Sequence, residues 1–171
     1  REQGLSRLLM TKVLEEWKQK CDAMYLFAND TVLDFYPKFG FVKAYEYQYQ
    51  ISVSPEPKHV RKLDMSSNND RELLLAKYKN SNPFSALPMV DNAGLLMFYC
   101  SQFMKDNVYY AKDCDAVVIA KQNGKDLICF DIFCDRANDI NEVLSIVASQ
   151  DTTNVILGFS PKSTENCQVT R

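Results

Sequence analysis

Histidine and glycine are scarce in this sequence. His59 is the only imidazole among 171 residues, and there are five glycines. A histidine metal cluster or a Ser-His-Asp triad would have to be built around His59, which sits beside prolines in a linker-like stretch, so neither is expected. The six cysteines (Cys21, Cys100, Cys114, Cys129, Cys134 and Cys167) contain no C-x-x-C pair and no zinc-ligand spacing. Most lie among apolar residues. Buried free thiols in a reducing, cytoplasmic compartment are expected, with no metal. No apolar run approaches the ~20 residues of a membrane-spanning helix. An excess of one charge is missing too: 20 Lys and Arg face 22 Asp and Glu, a formal net charge of -2. That argues against nucleic acid or an anionic membrane as the main partner.

What is present is ordinary for a folded chain. The length suits one compact domain or slightly more. Leu5, Leu8, Leu9, Met10, Val13, Leu14 and Trp17 recur at helical spacing, so residues 5–20 are expected to form an amphipathic helix. Lys18 and Lys20 would complement the dipole of its last turn. The apolar run 22–28 reads as a buried strand. Asn29-Asp30-Thr31 reads as a cap, followed by a short helix over 32–39 that ends at Gly40. Residues 41–53 read as a long strand. Ser54-Pro55-Glu56-Pro57 breaks helix and sheet alike, and a boundary is expected there.

The remainder reads as strand 60–65, helix 71–78, helix 90–104, apolar runs 108–121 and 126–133, helix 139–149 and strand 154–159. Asn123-Gly124 between the two apolar runs is a strong hairpin signal. The order predicts an α/β fold with a mixed α+β sheet. Asp131, Asp135 and Asp139 recur every four residues. Helix capping by Asp135 or Asn138 is favoured there over a metal site.

Arg1-Glu2-Gln3-Gly4-Leu5-Ser6 precedes the first helix. A glycine turn at a helix start presents unpaired N–H groups at the positive end of the dipole, which suits an anion. Gly4 would allow a phosphate to approach the backbone, and Arg1 would add charge. One glycine alone is a weak signal. The following residues add to it. Arg1-x-x-Gly4-x-Ser6, the run "DAMYLFAND", Asn29 and Tyr36-Pro37-Lys38-Phe39-Gly40-Phe41 keep an order and spacing that resemble the second half of the GNAT family of N-acetyltransferases.

The resemblance implies an acyl-CoA N-acyltransferase-like fold. It also implies acetyl transfer from acetyl-CoA to a small-molecule or peptide amine by direct attack on the thioester. Arg1, Gln3, Gly4, Leu5 and Ser6 would hold the CoA pyrophosphate, and Asn29 would contact the cofactor arm. Tyr36 would be the general acid that protonates the departing thiolate. Ser6 stands where the family has Gly or Ala. No general base is assigned.

In that family four strands and two helices precede this helix, so the chain is expected to be a fragment. Residues 1–53 would be the C-terminal half of one module, 54–59 a linker, and 60–171 a second, degenerate acetyltransferase-like module. Its counterpart loop, residues 134–139, has no glycine and carries Asp135 and Asp139, which would repel a pyrophosphate. Open sheet edges of half-modules would seek partners, a homo-oligomer among them. The alternative is a non-catalytic CoA-binding or protein-interaction module that retains the fold.

Overall fold

The computed structural model describes residues 4–56, 58–135 and 138–171. It divides into two compact units, Arg1–Tyr45 and Glu46–Arg171.

The first unit opens with helix α1 (Leu5–Trp17), whose first helical bond runs from the Leu8 N–H to the Gly4 carbonyl at 3.0 Å. The helix stops short of the expected end. Lys20 lies beyond it and pairs back with Glu16. The apolar stripe is there but uncovered: Leu5, Leu9 and Trp17 are 57%, 62% and 48% exposed. No described residue of this unit is buried.

The strand expected over 22–28 is extended chain without a ladder. Met24, Leu26 and Ala28 are half-buried while Tyr25 and Phe27 point outward, which is the alternation of a strand. A strand also needs a neighbour for its N–H and C=O groups, and none pairs with it among the described residues. Asn29 caps as expected. The helix expected over 32–39 is instead two single 3₁₀ turns, Asp30–Val32 and Tyr36–Phe39. Pro37 fits the first turn of the latter because its missing N–H is not needed there. Gly40, at φ 87°, closes it through its N–H to the Pro37 carbonyl at 3.1 Å.

The second unit is built on a seven-stranded sheet in the order β2-β3-β4-β5-β6-β1-β7. Its strands are β1 (Gln48–Ser52), β2 (Val60–Lys62), β3 (Val108–Ala111), β4 (Ala116–Asn123), β5 (Asp126–Phe133), β6 (Asn154–Leu157) and β7 (Cys167–Thr170). The long strand expected over 41–53 therefore forms only at its far end, where β6 and β7 flank it. The stretch from Ser54 follows β1, inside this unit.

Every neighbouring pair is antiparallel except β5 and β6, which are parallel and joined by helix α4 (Ile140–Val147). Asn123 pairs with Asp126 around Gly124 (φ 59°), so the Asn-Gly hairpin forms where expected. The apolar run 108–121 is split in two. Asp115 adopts a left-handed conformation (φ 48°) after the turn Lys112–Cys114 and reverses the chain between β3 and β4.

Helices α2 (Asn68–Tyr78) and α3 (Ala93–Gln102) complete the unit. Successive β4 residues feed different cores. Ala116, Val118 and Ala120 join the cluster that holds Val143, Leu144 and Ile146 of α4. Val117 and Ile119 join the cluster that holds Leu74, Tyr78, Leu96 and Cys100 of α2 and α3. Both faces of the sheet are thus covered, which is why β4 reads as a continuous apolar run. Four of the six thiols (Cys100, Cys114, Cys129 and Cys134) are buried, Cys167 is half-buried and Cys21 is exposed. Among the described residues no helix is long and apolar enough to cross a membrane.

Candidate functional site

Gly4 is the residue on which the first candidate site turns. It adopts the left-handed conformation (φ 66°) and sits at the N-cap of α1 without any side-chain cap. A Cβ built on it would meet nothing within 4 Å, so the space beside this backbone is open. The N–H groups of Leu5, Ser6 and Arg7 precede the first intrahelical bond and have no partner among the described residues. No acidic residue stands in the first turn to neutralise them. These donors and the dipole suit an anion. Arg1 and Gln3, the other two expected contributors, lie outside the described residues.

A concavity of about 600 Å³ runs from this end of α1 across the unit. Ser6 lines it, and so does Tyr36, together with Leu9, Met10, Met24 and Leu26. The structure therefore brings the helix start and the tyrosine to one surface. The Tyr36 ring is half-buried, with the Phe35 and Phe41 ring centroids 5.4 and 6.1 Å away. Its phenol makes no hydrogen bond among the described residues and can still donate to a ligand.

Asn29 does not line this concavity. Its Oδ1 accepts from the Thr31 N–H at 3.0 Å and from the Thr31 hydroxyl at 2.9 Å, so the oxygen is committed to the cap. Only its amide nitrogen remains to donate. Arg7 and the apolar lining had no motif to mark them. The signal for the lining was the helical spacing of Leu9, Met10 and Val13, read as part of an amphipathic helix.

The corresponding helix start in the second unit is chemically the reverse. The Asp139 Oδ1 accepts from the N–H groups of Asn141 and Glu142 at 2.8 and 3.2 Å. Two of the three donors that are unpartnered at α1 are thus satisfied at α4 by a carboxylate. The cap is Asp139, not Asp135 or Asn138. Asp135 instead accepts from the Asn80 amide at 2.8 Å, and Asn138 donates to the Asp135 carbonyl. Arg136 and Ala137 lie outside the described residues.

Among the described residues Asp131 is the one strongly perturbed carboxyl. Burial pushes it up to about 6, against the opposing hydrogen bonds from Asn82 and the Ile132 N–H. Burial, with Asp131 nearby, raises the Cys100 thiol to about 12. Among the described residues no cluster of three or more His, Cys, Asp or Glu stands ready for a metal ion.

The chain shares its fold with two solved structures. One is a GCN5-related N-acetyltransferase from Kribbella flavida, 20% identical over 100% of this chain and 48% of that one, with a TM-score of 0.50. The other is an Enterococcus faecalis protein described as a probable N-acyltransferase, 16% identical over 99% of this chain and 48% of its own, with a TM-score of 0.56. Eis1 from Mycobacterium abscessus also matches, at 13% identity, 99% of this chain, 50% of that chain and a TM-score of 0.47. The chain spans about half the length of each of these proteins. No family model and no curated protein sequence matches it.

Proposed function

We propose that residues 1–53 form the C-terminal half of an N-acetyltransferase module that uses acetyl-CoA, and that 60–171 form a second, degenerate module after a linker at 54–59. The observation that carries this reading is the contrast between the two helix starts. The first is a glycine turn whose N–H donors have no partner among the described residues and whose Ser6 lines one concavity with Tyr36. The second is closed by Asp139.

In this reading Gly4, Leu5 and Ser6, with Arg1 and Gln3, hold the pyrophosphate on backbone N–H groups, and Arg7 adds charge. Asn29 offers its amide nitrogen to the cofactor arm. The bound thioester supplies an activated acetyl group to an acceptor amine. The chain's part is to orient the two and to deliver a proton from the Tyr36 phenol to the departing sulfur. The rest of the acceptor site and the base would come from elements outside 1–53. A non-catalytic CoA-binding or interaction role is favoured by one observation, the absence of any buried residue among those described in the first unit.

Calorimetric titration of the protein with acetyl-CoA, beside Gly4→Asp, tests the proposal. Aspartate tolerates the left-handed region, so the turn survives while a carboxylate enters the phosphate path. Micromolar binding that is lost in Gly4→Asp is expected. No binding by either protein, or equal binding by both, overturns the loop assignment. Binding without acetyl transfer to any amine would favour the non-catalytic reading.

A further inference from the structure

In an open sheet with parallel strands, ligands bind in the crevice outside the carboxyl ends of those strands. In the second unit that place is where β5 and β6 part. Their ladder ends at Cys129 and Leu157, and a last bond follows from the Gly158 N–H to the Cys129 carbonyl at 2.7 Å. Beyond it β5 runs on to Phe133, pairing only with β4. The register shifts here, leaving Phe130 as an extra residue between Cys129 and Asp131.

A segment from elsewhere in the chain lies across this opening. On the β5 side, the Asn82 amide donates to the Asp131 Oδ1 at 2.6 Å. On the side of the chain leaving β6, Ser85 bridges to Pro161. The Ala86 N–H reaches the Ser160 carbonyl, and the Lys162 N–H reaches the Phe84 carbonyl, both at 2.8 Å. The Lys162 ammonium donates to the Pro83 carbonyl at 2.7 Å. Asn82 and Ser85 are each only 2% exposed, and Phe84 packs on the α4-side core. The Asn82 Oδ1 also accepts from the N–H groups of Phe84 and Ser85, which fixes the shape of the segment.

We propose that Asn82–Ala86 is a built-in occupant of this crevice, latched by the Asn82–Asp131 pair, so that the second unit is shut by its own chain and closed to acetyl-CoA. The inference does not depend on what the first unit binds. Two thiols face Asp131, Cys100 from α3 and Cys129 from β5 itself, and burial keeps both neutral. Asp131 has no ion-pair partner among the described residues. Asn82 is therefore its main side-chain contact, and the latch is open to a one-atom test.

Asn82→Asp keeps the oxygen that accepts from Phe84 and Ser85 and replaces only the donor that faces Asp131. At pH 8 two carboxylates would then share one contact and repel. At pH 5 one proton shared between them restores a bond. Hydrogen exchange, expressed as protection factors, reads the result at Phe84, Ala86 and Lys162.

In the unaltered protein these amides are expected to be protected, and added acetyl-CoA is expected to leave them unchanged. In Asn82→Asp they should lose roughly tenfold or more in protection at pH 8 and regain it at pH 5, with α4 amides unaffected. Recovery in the same sample shows that the variant is folded. Three results would each overturn the latch: free exchange in the unaltered protein, unchanged protection in Asn82→Asp at pH 8, or loss spread evenly through the unit. A response of these amides to acetyl-CoA would overturn the closed crevice. If acetyl-CoA binds nowhere on the chain, the reading of the first unit fails while the exchange result still decides this one.

Discussion

Asp131→Asn is expected to stabilise the protein at neutral and alkaline pH. The carboxyl is pushed up to about 6 in the fold from an ordinary 3.8, and burial is the main cause. Because the folded value is raised, the folded chain binds the proton more tightly than the unfolded chain. Relative stability is therefore fullest below about pH 4 and is lost as pH rises through 6. The gap corresponds to about 3 kcal/mol at most, and partial exposure to water lowers it to about 1–2 kcal/mol. Asparagine removes the ionisation and keeps an oxygen that can accept from both the Asn82 amide and the Ile132 N–H. Urea unfolding followed by circular dichroism at pH 8 and pH 5 measures the effect. The variant should exceed the unaltered protein by about 1–2 kcal/mol at pH 8, or about 3–6 °C in melting temperature, with only about half of that difference left at pH 5, which lies between the folded and unfolded values. Equal or lower stability at pH 8 would refute the argument. So would a gain that does not change with pH, because it would come from packing and not from charge.

Two further substitutions probe different parts of the chain. Tyr36→Phe should lower acetyl transfer by on the order of 100-fold while leaving acetyl-CoA affinity nearly unchanged, since only the donated proton is lost; steady-state kinetics beside calorimetry separates the two, and unchanged turnover would remove Tyr36 from the acid role. Gly158→Ala should destabilise by about 1–3 kcal/mol, because the new methyl would stand 3.1 Å from the Phe130 Cα and 3.2 Å from the Cys129 carbonyl oxygen, both backbone atoms with little freedom to yield. Denaturant titration checks it, and a neutral result would mean that β5 and β6 are freer to separate than their contact implies.

The elements that could be read from the sequence are those whose own side chains decide them. α1, α4 and the β4–β5 hairpin carry their periodicity and turn chemistry locally, and each forms near its expected place. Two of the misses share one physical origin. Residues 22–28 have the alternation of a strand, yet strand identity depends on a neighbour, which local pattern does not contain. The same dependence shortens the strand expected over 41–53 to Gln48–Ser52, where β6 and β7 supply the pairing. The split between β3 and β4 was hidden because Lys112-Asp113-Cys114-Asp115 has neither Gly nor Pro, and the reversal falls on a non-glycine left-handed residue. At the candidate site, motif order singled out Gly4, Ser6 and Tyr36, of which Ser6 and Tyr36 line one concavity. Asn82 was not: its importance comes from Asp131, 49 positions away in sequence.

The two helix starts show how few atoms separate an anion site from a closed one. Both helices follow a loop and expose the same N–H donors by geometry alone. At α1 the capping residue is a glycine, so no side chain among the described residues competes for those donors. At α4 a carboxylate has taken two of them, and it carries the charge that the ligand would have brought. Reopening α4 would thus mean removing the Asp139 charge as well as restoring a small residue for close approach. The crevice beside it would still hold Asn82–Ala86, whose bonds reach both β5 and the chain leaving β6. Closure of the second unit is therefore set twice, by local chemistry at the helix and by a distant segment at the strands, and no single substitution would undo both.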